Sequence, residues 1–281
     1  TDEPHAMDDV LPAAPARLRL LIVGINPGLW TAAVNAPFAR PGNRFWPSLH
    51  RAGLTEHLVD AAAGLSAADE RQLTSRGIGV TNLVGRATAR ADELSREAIR
   101  LVVEDFVAAA RRAEEAGFDA LELHFAHGYL VHEFLSPLVN TRTDEYGGDG
   151  TGRRRFSLEI AAAVREQWPA DRPVIVRISA TDWIDGGWDI EQSVELAREL
   201  EKVGIDALHV STGGAVIADI AVGPEYQVGF ARTLRDAVSL PVAAVGLITD
   251  PAGAQAVLDR GDADYVAVGR EIGRASCRER V

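Results

Sequence analysis

The chain is poor in cysteine, since Cys277 is the single one among its 281 residues. One cysteine excludes an intramolecular disulfide and any metal site built from several cysteines. Long apolar runs are also missing, because no stretch of about 18 consecutive apolar residues occurs. The first eleven residues are acidic and have no basic segment followed by an apolar one, so no signal peptide is predicted. We therefore expect a cytoplasmic chain without membrane association.

Positive charge is in short supply as well. The chain has 29 Lys and Arg against 41 Asp and Glu, a net charge of −12, and nearly all of the acidic excess lies after residue 98. This argues against nonspecific binding of nucleic acid by that part of the chain. The hydrophobic content of 47% is ample for a core. Length and composition together indicate a globular protein with one large α/β domain or two smaller domains.

Two imidazoles and a phenol follow the apolar residues 120–123. They are His124, His127 and Tyr129. A strand that runs into a loop can aim the imidazoles at one side of a pocket, where their N–H groups hold a substrate oxygen and the Tyr129 hydroxyl supplies a proton. The same spacing, with His132 nearby, also suits a zinc site, and a purely structural role is a third interpretation. Because no second cluster of ligands occurs elsewhere, we favour a substrate site without metal.

Apolar segments alternate with amphipathic ones from residue 102 onward. The predicted helices are residues 102–116, 154–167, 190–203, 230–237 and 251–259. The predicted strands are residues 120–123, 174–178, 207–210, 242–245 and 265–268. Repeated βα units with glycine-rich turns after the strands predict an α/β fold with a parallel sheet.

The histidine cluster begins a longer pattern. His-x-x-His-Gly-Tyr-Leu is followed by Phe-Leu-Ser-Pro at 134–137 and by Asp-Glu-Tyr-Gly-Gly at 144–148. Over about residues 102–270 the chain resembles the old yellow enzyme family of FMN-dependent NAD(P)H ene-reductases. The resemblance implies a (β/α)8 TIM barrel, of which this chain would carry strands 4–8 and lack the first three. It also implies an oxidoreductase whose activity is impaired by that truncation.

The resemblance implies a role for the histidine cluster. In the family, NADPH or NADH reduces FMN, and a hydride then passes to the β-carbon of a small activated alkene. His124 and His127 would polarise the carbonyl of the alkene, and Tyr129 would protonate its α-carbon.

The resemblance also places the cofactor on the loops after the later strands. Arg177 would stabilise negative charge at the flavin N1, although the residues alone favour an ion pair with Glu122 or Asp182. Gly246, Gly269 and Arg270 follow the last two strands, the common phosphate position in such barrels, and would hold the FMN phosphate. Taken singly, each glycine is a turn residue first.

A different resemblance covers the first part of the chain. A buried-strand pattern at 18–24 leads into Ile-Asn-Pro-Gly, and Asn-Arg-Phe-Trp follows at 43–46. Over about residues 17–97 the chain resembles a fragment of a mismatch-specific uracil/thymine DNA glycosylase. The resemblance implies that Asn26 holds the attacking water and that nucleic acid is a partner if the fragment is functional. As a residue before a proline, Asn26 is equally a turn residue.

These resemblances divide the chain into three segments. They are a glycosylase-like fragment, residues 1–98; the later part of an FMN-binding barrel, residues 99–270; and a tail, residues 271–281, that resembles a translated sequencing adapter. The boundary between the first and second segments falls where Ser95 is a predicted helix N-cap. An inactive chimeric reading frame is the third functional alternative, after the oxidoreductase and the glycosylase. Five strands cannot close a ring of eight, so we expect open edges through which copies pair as a homo-oligomer.

Overall fold

The computed structural model describes residues 8–13, 20–24, 31, 34–39, 43, 45–82, 91 and 94–268. The chain divides into two compact units, Thr1–Ala89 and Arg90–Val281. Four residues discussed above lie outside the described residues: Asn26, Gly269, Arg270 and Cys277. None of the helices in the described ranges is both long and apolar enough to cross a membrane.

The first unit contains a two-stranded parallel sheet. Its elements are β1 (Leu20–Gly24), α1 (Phe45–Arg51), α2 (Ala67–Thr74) and β2 (Ile78–Asn82). Helix α2 begins with a capping box, because the Ser66 hydroxyl accepts the Asp69 N–H and the Asp69 carboxylate accepts the Ser66 N–H. The unit has its own apolar core, with Trp46, Leu73 and Val80 among its buried side chains.

The second unit contains a five-stranded sheet that is parallel throughout and ordered as in the chain. Its strands are β3 (Leu121–Phe125), β4 (Val174–Ser179), β5 (Ala207–Ser211), β6 (Val242–Ala244) and β7 (Tyr265–Val266). Its helices are α3 (Arg96–Glu115), α4 (Leu130–Leu135), α5 (Gly150–Gln167), α6 (Ile190–Val203), α7 (Val228–Ala237) and α8 (Pro251–Asp259). The prediction of an α/β fold with a parallel sheet is confirmed.

The two faces of this sheet differ in character. Side chains alternate between the faces of a strand, and in β4 the apolar set Val174, Val176 and Ile178 is fully buried. This set joins one core with apolar residues of α3 and α5–α8, such as Phe156 and Leu200. The helices therefore cover one face, and the opposite face is left to carry the polar side chains.

The five predicted strands of the second unit are all present, each within two residues of its predicted ends. The largest differences are two residues: β3 ends at Phe125 and not at residue 123, and β7 ends at Val266 and not at residue 268. Its partner β6 stops at Ala244, and the Ala267 N–H makes a 2.8 Å hydrogen bond to the Ala244 carbonyl just beyond the paired residues.

Three of the five predicted helix starts were too late, and α4 was not predicted. Helix α3 begins at Arg96, because the Ser95 hydroxyl accepts the Ala98 N–H at 3.1 Å, which confirms Ser95 as an N-cap. Helix α5 begins at Gly150, because the Asp149 carboxylate accepts the Gly152 N–H at 2.9 Å. Helix α7 begins two residues before the predicted start.

Candidate active site

A row of polar side chains crosses the sheet face that the helices leave open. The strand register pairs His124 with Arg177, and Arg177 with His209. At the neighbouring level of β3, the Glu122 carboxylate lies 2.8 Å from Nδ1 of His209. Burial raises the pKa of Glu122, but the hydrogen bond from His209 and the positive charges of His209 and Arg177 outweigh it, so the pKa is lowered overall. The face therefore carries one carboxylate among several basic groups.

The three residues of the predicted substrate site are brought together at the carboxyl end of β3. The ring centroids of His124 and His127 are 5.1 Å apart, and those of His124 and Tyr129 are 5.3 Å apart with the rings edge to face. Tyr129 is 46% exposed, whereas both histidines are partly buried. A molecule that reaches the Tyr129 hydroxyl from solvent therefore meets the two imidazoles beside it.

The loop that holds His127 is fixed by its backbone. His127 has a φ of +61° and Gly128 a φ of +73°, so two consecutive residues adopt the left-handed conformation. The His127 N–H donates to the Ser179 hydroxyl at 3.0 Å. A Cβ on Gly128 would overlap the carbonyl of Gly214, and a Cβ on Gly214 would overlap the His127 backbone. Only glycines at both positions permit this close approach of the two loops.

Both imidazoles are neutral at physiological pH. Burial, followed by the positive charge of Arg177, lowers the pKa of His124 to about 4 and that of His127 to about 4. Each ring then has one N–H donor and one lone pair. Nε2 of His127 lies 2.8 Å from the Ser211 hydroxyl, which also lies 3.0 Å from the Ile178 carbonyl. When Ser211 donates to Nε2, the N–H of His127 is on Nδ1.

Arg177 has an unusual hydrogen-bonding environment. Its Nε is buried and has no hydrogen-bond partner within the described ranges. No carboxylate of those residues forms an ion pair with Arg177, so the ion-pair alternative finds no support. The Asp182 carboxylate instead accepts the Ser136 hydroxyl at 2.6 Å and the Trp188 N–H at 2.9 Å. A buried donor without an acceptor costs free energy, and an added acceptor at this place would recover it.

Gly246 follows β6 in a conformation that favours glycine. Its φ is +128°, and a Cβ there would lie 3.1 Å from both Cβ and N of Gln227. Its carbonyl accepts the Glu225 N–H at 2.8 Å. Gly246 therefore lets the turn after β6 approach the segment that begins α7. The other two predicted phosphate residues, Gly269 and Arg270, lie outside the described residues.

The second half of the motif is structural. Asn140 donates to the carbonyls of Phe134 and Tyr146, both at 2.7 Å. Arg142 donates to the Leu94 carbonyl at 2.6 Å and pairs with Asp144 at 2.5 Å. These bonds hold the segment before α5 in place. In the described part of the chain, no group of three or more histidine, cysteine or acidic residues could hold a metal ion.

The sequence interpretation missed Ser179 and the roles of Asp182 and Gly128. A signal for Ser179 is available, because it ends β4 as Ser211 ends β5, and the register pairs the two. Gly128 is part of the sequence motif, but the motif assigns no structural role to it. Its contact with Gly214 joins loops that are far apart in the chain, and a single sequence does not reveal such a contact.

Comparison with known proteins identifies the family. Residues 53–274 match the NADH:flavin oxidoreductase / NADH oxidase family. An NADPH dehydrogenase of Bacillus subtilis (strain 168) is 47% identical over 180 residues, which are 64% of this chain and 53% of that protein. An NADPH dehydrogenase of Listeria welshimeri is 40% identical over 222 residues, 78% of this chain and 65% of that protein. The chain thus spans about half the length of the first of these relatives.

Solved structures agree with this relationship. Morphinone reductase in complex with tetrahydroNAD superposes with a TM-score of 0.52 at 34% identity, covering 66% of this chain and 47% of that one. The old yellow enzyme homologue from Zymomonas mobilis superposes with a TM-score of 0.56 at 29% identity, covering 70% of this chain and 55% of that one. The predicted relationship to old yellow enzyme is confirmed. The chain belongs to the NADH:flavin oxidoreductase / NADH oxidase family.

Proposed function

We propose that the chain is an FMN-dependent NAD(P)H oxidoreductase of the old yellow enzyme type that acts on small activated alkenes. The observation that carries the proposal is the arrangement on one sheet face. Two neutral imidazoles lie beside an exposed tyrosine, and the register places Arg177 next to His124, with an Nε that no described residue accepts from. The imidazoles are hydrogen-bond donors for a substrate oxygen, and Arg177 is a cation that suits an electron-accepting ring.

The environment of Arg177 fits a flavin. When bound, FMN supplies the hydride transfer between NADPH or NADH and the β-carbon of the alkene. The guanidinium, whose buried Nε–H has no acceptor among the described residues, would offer this donor and its charge to the N1 side of the ring, where negative charge builds up. An apolar or cationic neighbour would leave that donor unsatisfied, whereas the ring offers an acceptor. Gly246, with Gly269 and Arg270, would hold the phosphate through backbone N–H groups and one positive charge.

The imidazoles would hold the alkene by its carbonyl oxygen. Each neutral ring has one N–H. That of His127 lies on Nδ1, free for the substrate, when the Ser211 hydroxyl donates to Nε2 in place of the Ile178 carbonyl. Two donors on one oxygen draw electron density from the double bond and make the β-carbon electrophilic. Tyr129, edge to face with His124, would then deliver a proton to the α-carbon.

We assign strands β3–β7 to the fourth to eighth strands of a TIM barrel, within a segment of residues 99–270. All five strands are parallel and in chain order, and helices cover one face, as in such barrels. On the sequence motifs alone we assign residues 1–98 to a glycosylase-like fragment and residues 271–281 to an adapter-derived tail, although the family match of residues 53–274 overlaps both segments. The described sheet of the second unit has five strands, and a closed barrel of this type needs eight, so we expect impaired turnover and pairing of copies through the sheet edges.

Titration with FMN tests the proposal. The full chain should bind FMN saturably, with a shifted visible absorbance that NADPH then bleaches. Arg177→Met should raise the dissociation constant by roughly tenfold, since one charge-assisted hydrogen bond is lost. Arg198→Met, which removes an exposed arginine of α6, is the matched control and should bind FMN as the wild type does. Equal affinities of wild type and Arg177→Met would overturn the assignment of Arg177.

A further inference from the structure

A buried polar pair lies directly behind the loop of His127 and Tyr129. The side chains of His132, in α4, and Asp182, after β4, are both 0% exposed. Nε2 of His132 lies 3.2 Å from Oδ1 of Asp182, within ion-pair distance but without the alignment of a hydrogen bond, and neither atom has a hydrogen-bond partner in the described parts of the chain. The other ring nitrogen of His132, Nδ1, accepts the backbone N–H of Gly128 at 2.9 Å. One imidazole therefore connects a buried carboxylate to the backbone of the active-site loop.

The hydrogen bonds define the tautomer of His132. Since the Gly128 N–H is a donor, Nδ1 must be unprotonated, and the ring proton is on Nε2, where it faces Asp182. Oδ2 of Asp182 is already used, because it accepts from the Ser136 hydroxyl and the Trp188 N–H. Burial raises the pKa of Asp182, but the contact with His132 and the hydrogen bonds from Ser136 and Trp188 lower it further than burial raises it. Asp182 is thus an anion at neutral pH, and its Oδ1 faces the Nε2–H of His132 at 3.2 Å.

The Gly128 N–H sits at the most constrained point of the loop. It lies between the two side chains assigned to the substrate, His127 and Tyr129, and inside the pair of consecutive left-handed residues. A left-handed conformation at a residue other than glycine costs roughly 1 kcal/mol, so the loop needs a compensating interaction. The hydrogen bond from the Gly128 N–H to His132 is one such interaction. The contact of Gly128 with Gly214 alone constrains the position of the loop but leaves the orientation of this N–H open.

We propose that His132 and Asp182 are positioning residues that hold the loop of His127 and Tyr129 in its substrate-binding conformation. The inference rests on the proposed function for the identity of the substrate ligands. Asp182 keeps the ring proton of His132 on Nε2, and Nδ1 then holds the Gly128 N–H. Neither residue touches the substrate, so their effect on binding passes through the backbone.

Asp182→Asn tests this assignment with little change in volume. The amide oxygen must face Trp188 N–H and Ser136, so the amide NH2 faces Nε2 of His132. This arrangement pushes the ring proton to Nδ1, opposite the Gly128 N–H, and two donors then meet. His132→Asn should retain more function than His132→Leu, because its side-chain oxygen keeps an acceptor for Gly128. Ser193→Ala is the matched control, since Ser193 is fully buried and bonds Trp188 Nε1 at 2.7 Å but does not touch the loop.

Two readouts separate the inference from the proposed function. Without any flavin, hydrogen exchange of the peptide that contains Gly128 should be faster in Asp182→Asn than in wild type and Ser193→Ala. With FMN bound, the charge-transfer band of para-hydroxybenzaldehyde measures its dissociation constant. This constant should rise roughly tenfold in Asp182→Asn at equal flavin content. Unchanged exchange at Gly128, or faster exchange with unchanged affinity for the phenol, would overturn the inference. If the wild type shows no phenol band, the proposed function fails, and the exchange measurement decides the inference by itself.

Discussion

Because the two active-site histidines have depressed pKa values, the free energy of unfolding depends on pH in a defined range. An unfolded histidine titrates near 6.5, whereas His124 and His127 titrate at about 4 in the folded chain. Between these values the unfolded state binds more protons than the folded state, so the free energy of unfolding falls as the pH decreases from 6.5 to 4. Above pH 6.5 this contribution is constant and fully present.

The magnitude follows from the size of the change in pKa. A decrease from 6.5 to about 4 corresponds to about 3 kcal/mol for one fully buried group. Because both rings are only partly buried, solvent screening reduces this free-energy contribution. We expect about 1.5 kcal/mol for each ring, or about 3 kcal/mol for the pair. The double variant His124→Gln, His127→Asn lacks both groups, and asparagine tolerates the positive φ at residue 127.

Urea unfolding at pH 7.5 and pH 4.5 measures the difference. Trp168, Trp183 and Trp188, three of the five tryptophans, lie in the second unit, so intrinsic fluorescence reports mainly on that unit. The wild type should lose about 3 kcal/mol more unfolding free energy between the two pH values than the double variant loses. An equal loss in both proteins would refute the reasoning, because it would mean that the histidines are not held neutral in the folded chain.

Two further predictions concern the loop of His127 and its neighbours. Tyr129→Phe removes the proposed proton donor and should slow reoxidation of the flavin by cyclohexenone by about 10²-fold or more, while reduction of the flavin by NADPH stays unchanged. Rapid-mixing absorbance measures the two half-reactions separately. An equal loss of rate in both would contradict the role of Tyr129. Gly128→Ala places a Cβ against the Gly214 carbonyl at a φ of +73° and should cost about 2 kcal/mol or more of unfolding free energy. Gly229→Ala in α7, where the added Cβ meets nothing within 4 Å, is the matched control and should stabilise the chain by about 0.5 kcal/mol. Thermal unfolding of both variants checks the pair, and similar melting temperatures would argue against the close packing of the two loops.

The strands and most helices of the second unit were predictable because their sequences are locally consistent. Val174, Val176 and Ile178 alternate with less buried residues, and Asp189 and Gly204 cap the two ends of α6, a helix whose bounds were predicted correctly. Helix α4 was missed because its six residues are too few for a helical period to be visible beside the histidine motif. The late start predicted for α5 has a similar cause, since the glycines at its first turn resemble a loop.

The candidate site was predictable in its residues but not in its electrostatics. His124, His127 and Tyr129 are close in the chain, so a strand followed by a short loop necessarily gathers them. Arg177 is different, because whether its Nε finds an acceptor depends on the packing of neighbouring strands. The pairing of His132 with Asp182 spans 50 residues of chain, and nothing in the local sequence of either residue indicates it.

The most direct test of the central claim follows the two half-reactions in the full chain under anaerobic conditions. FMN is bound first, NADPH is added, and cyclohexenone is added last, while the visible absorbance of the flavin is recorded. Our account predicts that NADPH bleaches the absorbance and that cyclohexenone restores it, more slowly than in the full-length NADPH dehydrogenase of Bacillus subtilis treated in the same way. A flavin absorbance that NADPH leaves unchanged, or that cyclohexenone does not restore, would contradict the account.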